Sequence, residues 1–144
     1  MNWECFTDGA CRRSNPGVTA CAFALYKDGT LVESQGFFLG KLFSNNYAEY
    51  QGLLKALEYL EYKALRNVRI FCDSKLVVEQ VCQRWNVNSE ELRPIMIKAY
   101  ALLVRGAHML NHCKGHSGVE GNELADFLCN AVLDEWENND ASKS

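Results

Sequence analysis

Two apolar runs, residues 18–26 and 30–39, are separated only by Lys27-Asp28-Gly29, and this punctuation constrains the fold more than any other feature of the chain. An Asp-Gly pair accommodates the two positive φ angles of a tight hairpin turn, so the runs are expected to be antiparallel neighbours. Residues 1–8 also alternate, with Trp3 and Cys5 on one side of a strand and Phe6 between them. Three strands therefore open the chain. From residue 44 the period changes. Leu53, Ala56, Leu57 and Leu60 recur at helical spacing behind the capping types Ser44, Asn45 and Asn46, which predicts a helix over 44–62. Residues 68–72 read as a short buried strand that delivers Asp73, and a helix starts at Ser74 with Leu76, Val77, Gln80 and Val81 along it. Helical spacing returns over 90–105, where Pro94 is tolerable in a first turn. Residues 108–113 read as a fifth strand, 114–121 as a glycine-rich loop and 122–136 as a last helix. The order βββαβααβα defines an α/β chain: a five-stranded mixed sheet, its first three strands antiparallel, flanked by helices.

At 144 residues and 48% hydrophobic content, the chain has material for one core, expected over 1–136, with a disordered acidic tail over 137–144. The first residues, MNWECFTDGA, carry no basic apolar run, and no segment approaches the roughly 18 apolar residues of a membrane span. The expected location is cytoplasmic, with no membrane partner. Seven scattered cysteines without a CxxC pair read as small buried apolar residues. His112, Cys113 and His116, with Cys129, are the one set that suggests zinc, yet adjacent residues on a strand point to opposite faces. The net charge of −3 does not exclude a polyanionic partner. Residues 134–144 set Asp134, Glu135, Glu137 and Asp140 against Lys143, so residues 1–133 are neutral and bound divalent ions would make them positive.

Asp8 at the end of the first strand, Glu49 near the start of a helix, Asp73 after the fourth strand and Asp126 in the last helix occupy places where α/β sheets build sites. Each acid alone reads equally well as a turn, cap or first-turn residue. Four carboxylates meeting at one point would repel each other strongly without a counter-charge. Magnesium takes oxygen ligands, commonly one or two carboxylates with water and phosphate. Two such ions can activate a water and stabilise the leaving oxygen of a phosphodiester. The sequence around each acid decides between these readings.

Four segments in this order, TDGA (7–10), NNYAEYQGLLKAL (45–57), FCDSKLVVEQ (71–80) and KGHSGVEGNELAD (114–126), resemble type 1 ribonuclease H from residue 4 to about 133. The resemblance implies a ribonuclease H-like fold and an endonuclease that cuts the RNA strand of RNA–DNA hybrids. It implies two Mg2+ ions, replaceable by Mn2+, and products with 5′-phosphate and 3′-hydroxyl ends. Asp8 would bridge both ions, Glu49 and Asp73 would complete the site facing the leaving group, and Asp126 would hold the ion whose water attacks. Glu49 would also meet a ribose 2′-hydroxyl, the group that distinguishes RNA from DNA. His116, ten residues before Asp126, matches a mobile-loop histidine that assists proton transfer or product release. Asn15, Asn45 and Asn46 match positions that contact the minor groove, although turn and cap roles suit them as well.

The chain departs from the family pattern in several places. Asp8 to Asn15 is one residue longer than the common spacing, and Ser44 stands for the usual threonine of the pocket that grips the DNA strand, with Lys41 a candidate for its charge. Residues 81–93 hold only Arg84 and Arg93, so the basic, Trp-rich protrusion of some bacterial members is missing. Trp85 is left as a stacking surface, with a core or lid role equally open, and Lys75 and Lys114 are the better candidates for backbone contacts. No N-terminal hybrid-binding domain is expected, and a monomer is. Two rivals have recognisable marks. A DNA-cutting nuclease of the same fold would lack the NNYAE and KGHSG contexts, and an inactive hybrid-binding or assembly domain would have lost a carboxylate.

Overall fold

The structure, a computed structural model, describes residues 1–113 and 120–142. Its elements are β1 (Trp3–Arg12), β2 (Gly17–Lys27), β3 (Thr30–Phe43), α1 (Asn45–Tyr62), β4 (Arg69–Cys72), α2 (Lys75–Val81), α3 (Arg93–Arg105), β5 (Met109–His112) and α4 (Glu120–Ser142). This is the expected order. The hairpin turn forms as its residues dictate, with Asp28 at φ 50° and Gly29 at φ 82°. The strands lie side by side as β3-β2-β1-β4-β5. β1 pairs antiparallel with β2, and β2 with β3, whereas β4 runs parallel to both β1 and β5.

Alternation along the strands splits the buried side chains between two faces. Cys5, Phe23, Leu25, Ile70 and Cys72 pack with Leu53, Leu57 and Leu60 of α1 and with Ala99, Leu102 and Leu103 of α3. On the other face Phe6, Ala24 and Tyr26 meet Leu124 of α4, and Val18 and Ala20 meet Leu133. β2, covered on both sides, is buried from Gly17 to Tyr26. Helix starts follow their caps: the Ser44 hydroxyl accepts the Tyr47 N–H at 3.0 Å, and Ser74 caps α2 through the Val77 N–H.

The expected tail is corrected in part. Helix α4 continues to Ser142, so residues 137–142 are its last turns. Local composition points to disorder, but the acids meet cations from the other end of the chain. Arg12 reaches Asp134 at 2.7 Å and Glu137 at 3.3 Å, while Arg13 lies 4.8 Å over Trp136, which stacks on Phe38.

Candidate active site

Parallel pairing between β1 and β4 ends at Thr7 opposite Cys72, whereas antiparallel pairing with β2 carries β1 on to Arg12. Asp8 is therefore inside β1, not at its end as the sequence suggested. It is nevertheless the first β1 residue past the parallel ladder, just as Asp73 is the first past β4. Two acids thus emerge side by side at the carboxyl ends of neighbouring parallel strands. Helix α1 crosses at backbone contact distance: a Cβ on Gly9 would fall within the Ala48–Glu49 peptide, and one on Gly52 would fall on the Asp8 carbonyl. These two glycines bring Glu49 against Asp8. Gly52→Ala is expected to cost about 3 kcal/mol, the upper end for overpacking a tight contact, and to weaken divalent-ion binding. Urea unfolding and calorimetric metal titration measure the two effects.

Asp8 is 4% and Glu49 7% exposed, so both carboxyls are largely cut off from water. Burial raises the Asp8 pKa to about 8, the charges of Asp73 and Asp126 add to the rise, and the Gly9 N–H, donating to Oδ1 at 2.8 Å, partly offsets it. Glu49 is held well above its ordinary value by burial and by Asp8 and Asp73. Asp73 is raised by burial, while hydrogen bonding with the Glu49 and Asp8 side chains pulls it back down and the Asp126 charge adds a smaller rise. The four acids singled out in the sequence thus meet as one interacting cluster. Among the described residues, the buried side-chain oxygens with no hydrogen-bond partner are Thr7 Oγ1, Glu49 Oε2 and Asp73 Oδ1. All three belong to the cluster or, in the case of Thr7, adjoin it. Unpartnered buried oxygens on mutually repelling acids are costly alone and fit a hard divalent cation.

Asp126 has its own support. Asn130, one turn on, donates Nδ2 to the Asp126 carbonyl at 3.0 Å and to Oδ1 at 3.4 Å. Arg12 donates to Asn130 Oδ1 at 2.8 Å, which fixes the amide orientation. Sequence reading missed Asn130, although its i,i+4 spacing from Asp126 was a usable signal. Gly9, Gly52 and Thr7 carried no such signal, because their partners are remote in sequence.

The candidate substrate contacts are dispersed around this centre. Asn15 Oδ1 accepts the Asn45 N–H at 2.9 Å, tying the β1–β2 turn to the start of α1 beside the capping Ser44. Asn45 and Asn46 are exposed. Lys75 is exposed, with Nζ 5.9 Å from the ring of half-exposed Trp85. Arg84 is engaged by Glu79 through two 2.8 Å bonds, and Arg93 donates to the Val87 carbonyl. His116 and Lys114 lie outside the described residues. Of the suggested zinc set, His112 is exposed and Cys113 buried. The His112 ring sits 3.2 Å from the Asp73 carbonyl oxygen. Among the described residues, Glu49, Cys72 and Asp73 form a group whose potential ligand atoms all lie within 4.8 Å of one another.

A five-stranded mixed sheet of this strand order, flanked by helices, defines the ribonuclease H-like class of folds. Comparison with known proteins agrees: the RNase H family model matches residues 2–134. Ribonuclease HI of Halobacterium salinarum is 34% identical over 131 residues, which cover 90% of this chain and 63% of that protein's length. The crystal structure of RNase H1 from the same archaeon superposes with a TM-score of 0.84 at 32% identity, covering 94% of this chain and 99% of the other. LC11-RNase H1, solved in complex with an RNA/DNA hybrid, shares the fold, with a TM-score of 0.77, 22% identity and coverage of 92% and 99%. The chain belongs to the ribonuclease H family, on its type 1 branch. That family depends on divalent metal. No described helix is long and apolar enough to cross a membrane.

Proposed function

We propose that this protein is an endonuclease that hydrolyses the RNA strand of RNA–DNA hybrids, using two Mg2+ ions that Mn2+ can replace and leaving 5′-phosphate and 3′-hydroxyl ends. The observation that carries this reading is the cluster of mutually repelling acids with unpartnered oxygens in a ribonuclease H domain. Asp8, Glu49, Asp73 and Asp126 are the residues that would hold the ions. When bound, the ions supply Lewis acidity, making a water nucleophilic near neutral pH and neutralising charge at the leaving oxygen. Glu49 accepts a hydrogen bond from the ribose 2′-hydroxyl, which DNA lacks. Asn130, held by Arg12, keeps the Asp126 carboxylate turned toward the cluster, the kind of outer support on which ligand geometry depends.

Asn15, Asn45 and Asn46 offer amides to sugars and base edges, Ser44 and Lys75 bind phosphates, and Lys114 adds a further positive charge for the substrate backbone. His116 carries a proton to or from the cleaved phosphate. The hybrid bound by LC11-RNase H1 on the same fold supports this choice of substrate, and a cytoplasmic monomer is the simplest working form. A labelled hybrid is expected to be cut in Mg2+ or Mn2+ while duplex DNA stays intact. With two or three phosphate contacts, kcat/KM should fall about 10- to 40-fold between 50 and 200 mM salt. An intact hybrid in both metals would refute the reading.

A further inference from the structure

One polar group next to the acids has no part in that scheme. Cys72, the last residue of β4, is fully buried and shares the α1 face of the sheet with Ile70. Its Sγ and carboxylate oxygens of Glu49 and Asp73 all lie within 4.8 Å of one another. Glu49 is itself more than nine-tenths buried, and its Oε2 has no hydrogen-bond partner. Thr7, opposite Cys72 in the parallel ladder, adds a second unpartnered oxygen, Oγ1, beside the sulfur. The floor of the cluster is therefore a mixed set of one sulfur and several oxygens, whereas hard ions such as Mg2+ use oxygen alone.

We propose that Cys72, Glu49 and Asp73 form a thiolate-containing site for a soft divalent ion, of the Zn2+ or Cd2+ kind, that competes with the hard ions of the cleavage reaction. Tetrahedral zinc with zinc–sulfur near 2.3 Å and zinc–oxygen near 2.0 Å wants its donors roughly 3.5 Å apart. A small closure of the Glu49 and Asp73 side chains reaches that spacing, and a water completes the fourth position. Half-buried Asp73 gives the ion its way in from solvent. On binding, a metal–sulfur bond forms, the Cys72 S–H bond breaks, and the proton passes to water. Softness separates the two modes: thiolate favours Zn2+ and Cd2+ and adds nothing for Mg2+. Competition with catalysis rests on the nuclease reading, but the binding itself does not.

Titrating the full chain with Cd2+ in the absence of Mg2+ tests the proposal directly. One equivalent is expected to produce the ultraviolet sulfur-to-metal charge-transfer absorption. In Cys72→Ser that absorption should vanish and Cd2+ affinity should fall more than about 100-fold, since loss of even an outer-shell partner costs about 10- to 100-fold. Cys82→Ser, a thiol outside the group, should behave as wild type. If Cys72→Ser does not fold, Glu49→Gln keeps the thiol and should still weaken Cd2+ at least about 10-fold. No absorption in the wild type, undiminished absorption in Cys72→Ser, or undiminished Cd2+ affinity in Glu49→Gln overturns the site. Hybrid cleavage in Mg2+, measured in parallel, fails or succeeds independently, so loss of the nuclease reading and loss of the soft-ion site are told apart.

Discussion

Asp8→Asn is expected to lower hybrid cleavage by at least about a thousandfold while raising the Tm of the metal-free protein by about 5 °C at pH 8. The two effects have one cause. Asp8 sits where Glu49, Asp73 and Asp126 converge, is 4% exposed, and is pushed up to about 8 mainly by burial. An amide of the same shape keeps the acceptor for the Gly9 N–H and removes one of the repelling charges. Relief on the order of 2 kcal/mol corresponds to roughly 5 °C for a domain of this size. The same change removes the carboxylate that would bridge both ions, which a neutral oxygen replaces poorly. Hybrid binding in Ca2+, followed by anisotropy, should persist. Retained turnover would take Asp8 out of the site, and a lowered Tm would mean that the carboxylate is not under repulsion.

Without metal, the protein is expected to lose on the order of 4 kcal/mol of stability between pH 5 and pH 8.5, where most proteins change little. Asp8 titrates near 3.9 when unfolded and at about 8 when folded, so the folded state holds the proton more tightly. The stabilisation is complete below pH 4 and is lost as pH rises through 8. Glu49 and Asp73 shift in the same direction for the same first cause, burial. Asp126 also faces the cluster, and the neighbouring Asn130 amide is uncharged. Each pKa unit is worth about 1.4 kcal/mol, and the estimate is set below the full shift because the acids share their protons. Divalent ions bind the ionised form, so millimolar Mg2+ should flatten the profile by mass action. Urea unfolding in chelator at the two pH values, repeated with Mg2+, reads both effects. A flat metal-free profile would mean that the acids stay ionised and apart.

Local signals served well where structure is local. Asp28-Gly29 specifies its turn through backbone sterics, Ser44 and Ser74 specify helix starts through a hydroxyl within reach of the next turn, and the change from alternation to helical spacing marks the passage from sheet to α1. The four acids became recognisable through their immediate neighbours, TDGA, NNYAE, FCDSK and NELAD, since each context reports the element that presents the acid.

Decisions between distant segments were hidden. Whether Asp8 ends a strand depends on β1 having partners of unequal length, because the ladder to β4 stops at Thr7 while that to β2 runs to Arg12. The polarity of residues 137–142 says tail, yet Arg12, 122 positions before Asp134, helps to extend the helix. Asn15 reads as a turn residue until its amide is seen holding the start of α1. The sequence alone thus determined the elements, their order and the identity of the acids, because those follow from backbone preference and short-range pattern. Only the tertiary structure decided that the acids meet, how far burial shifts them, and that a buried thiol lies beside them. Those properties come from packing between residues far apart in the chain, which no local pattern encodes.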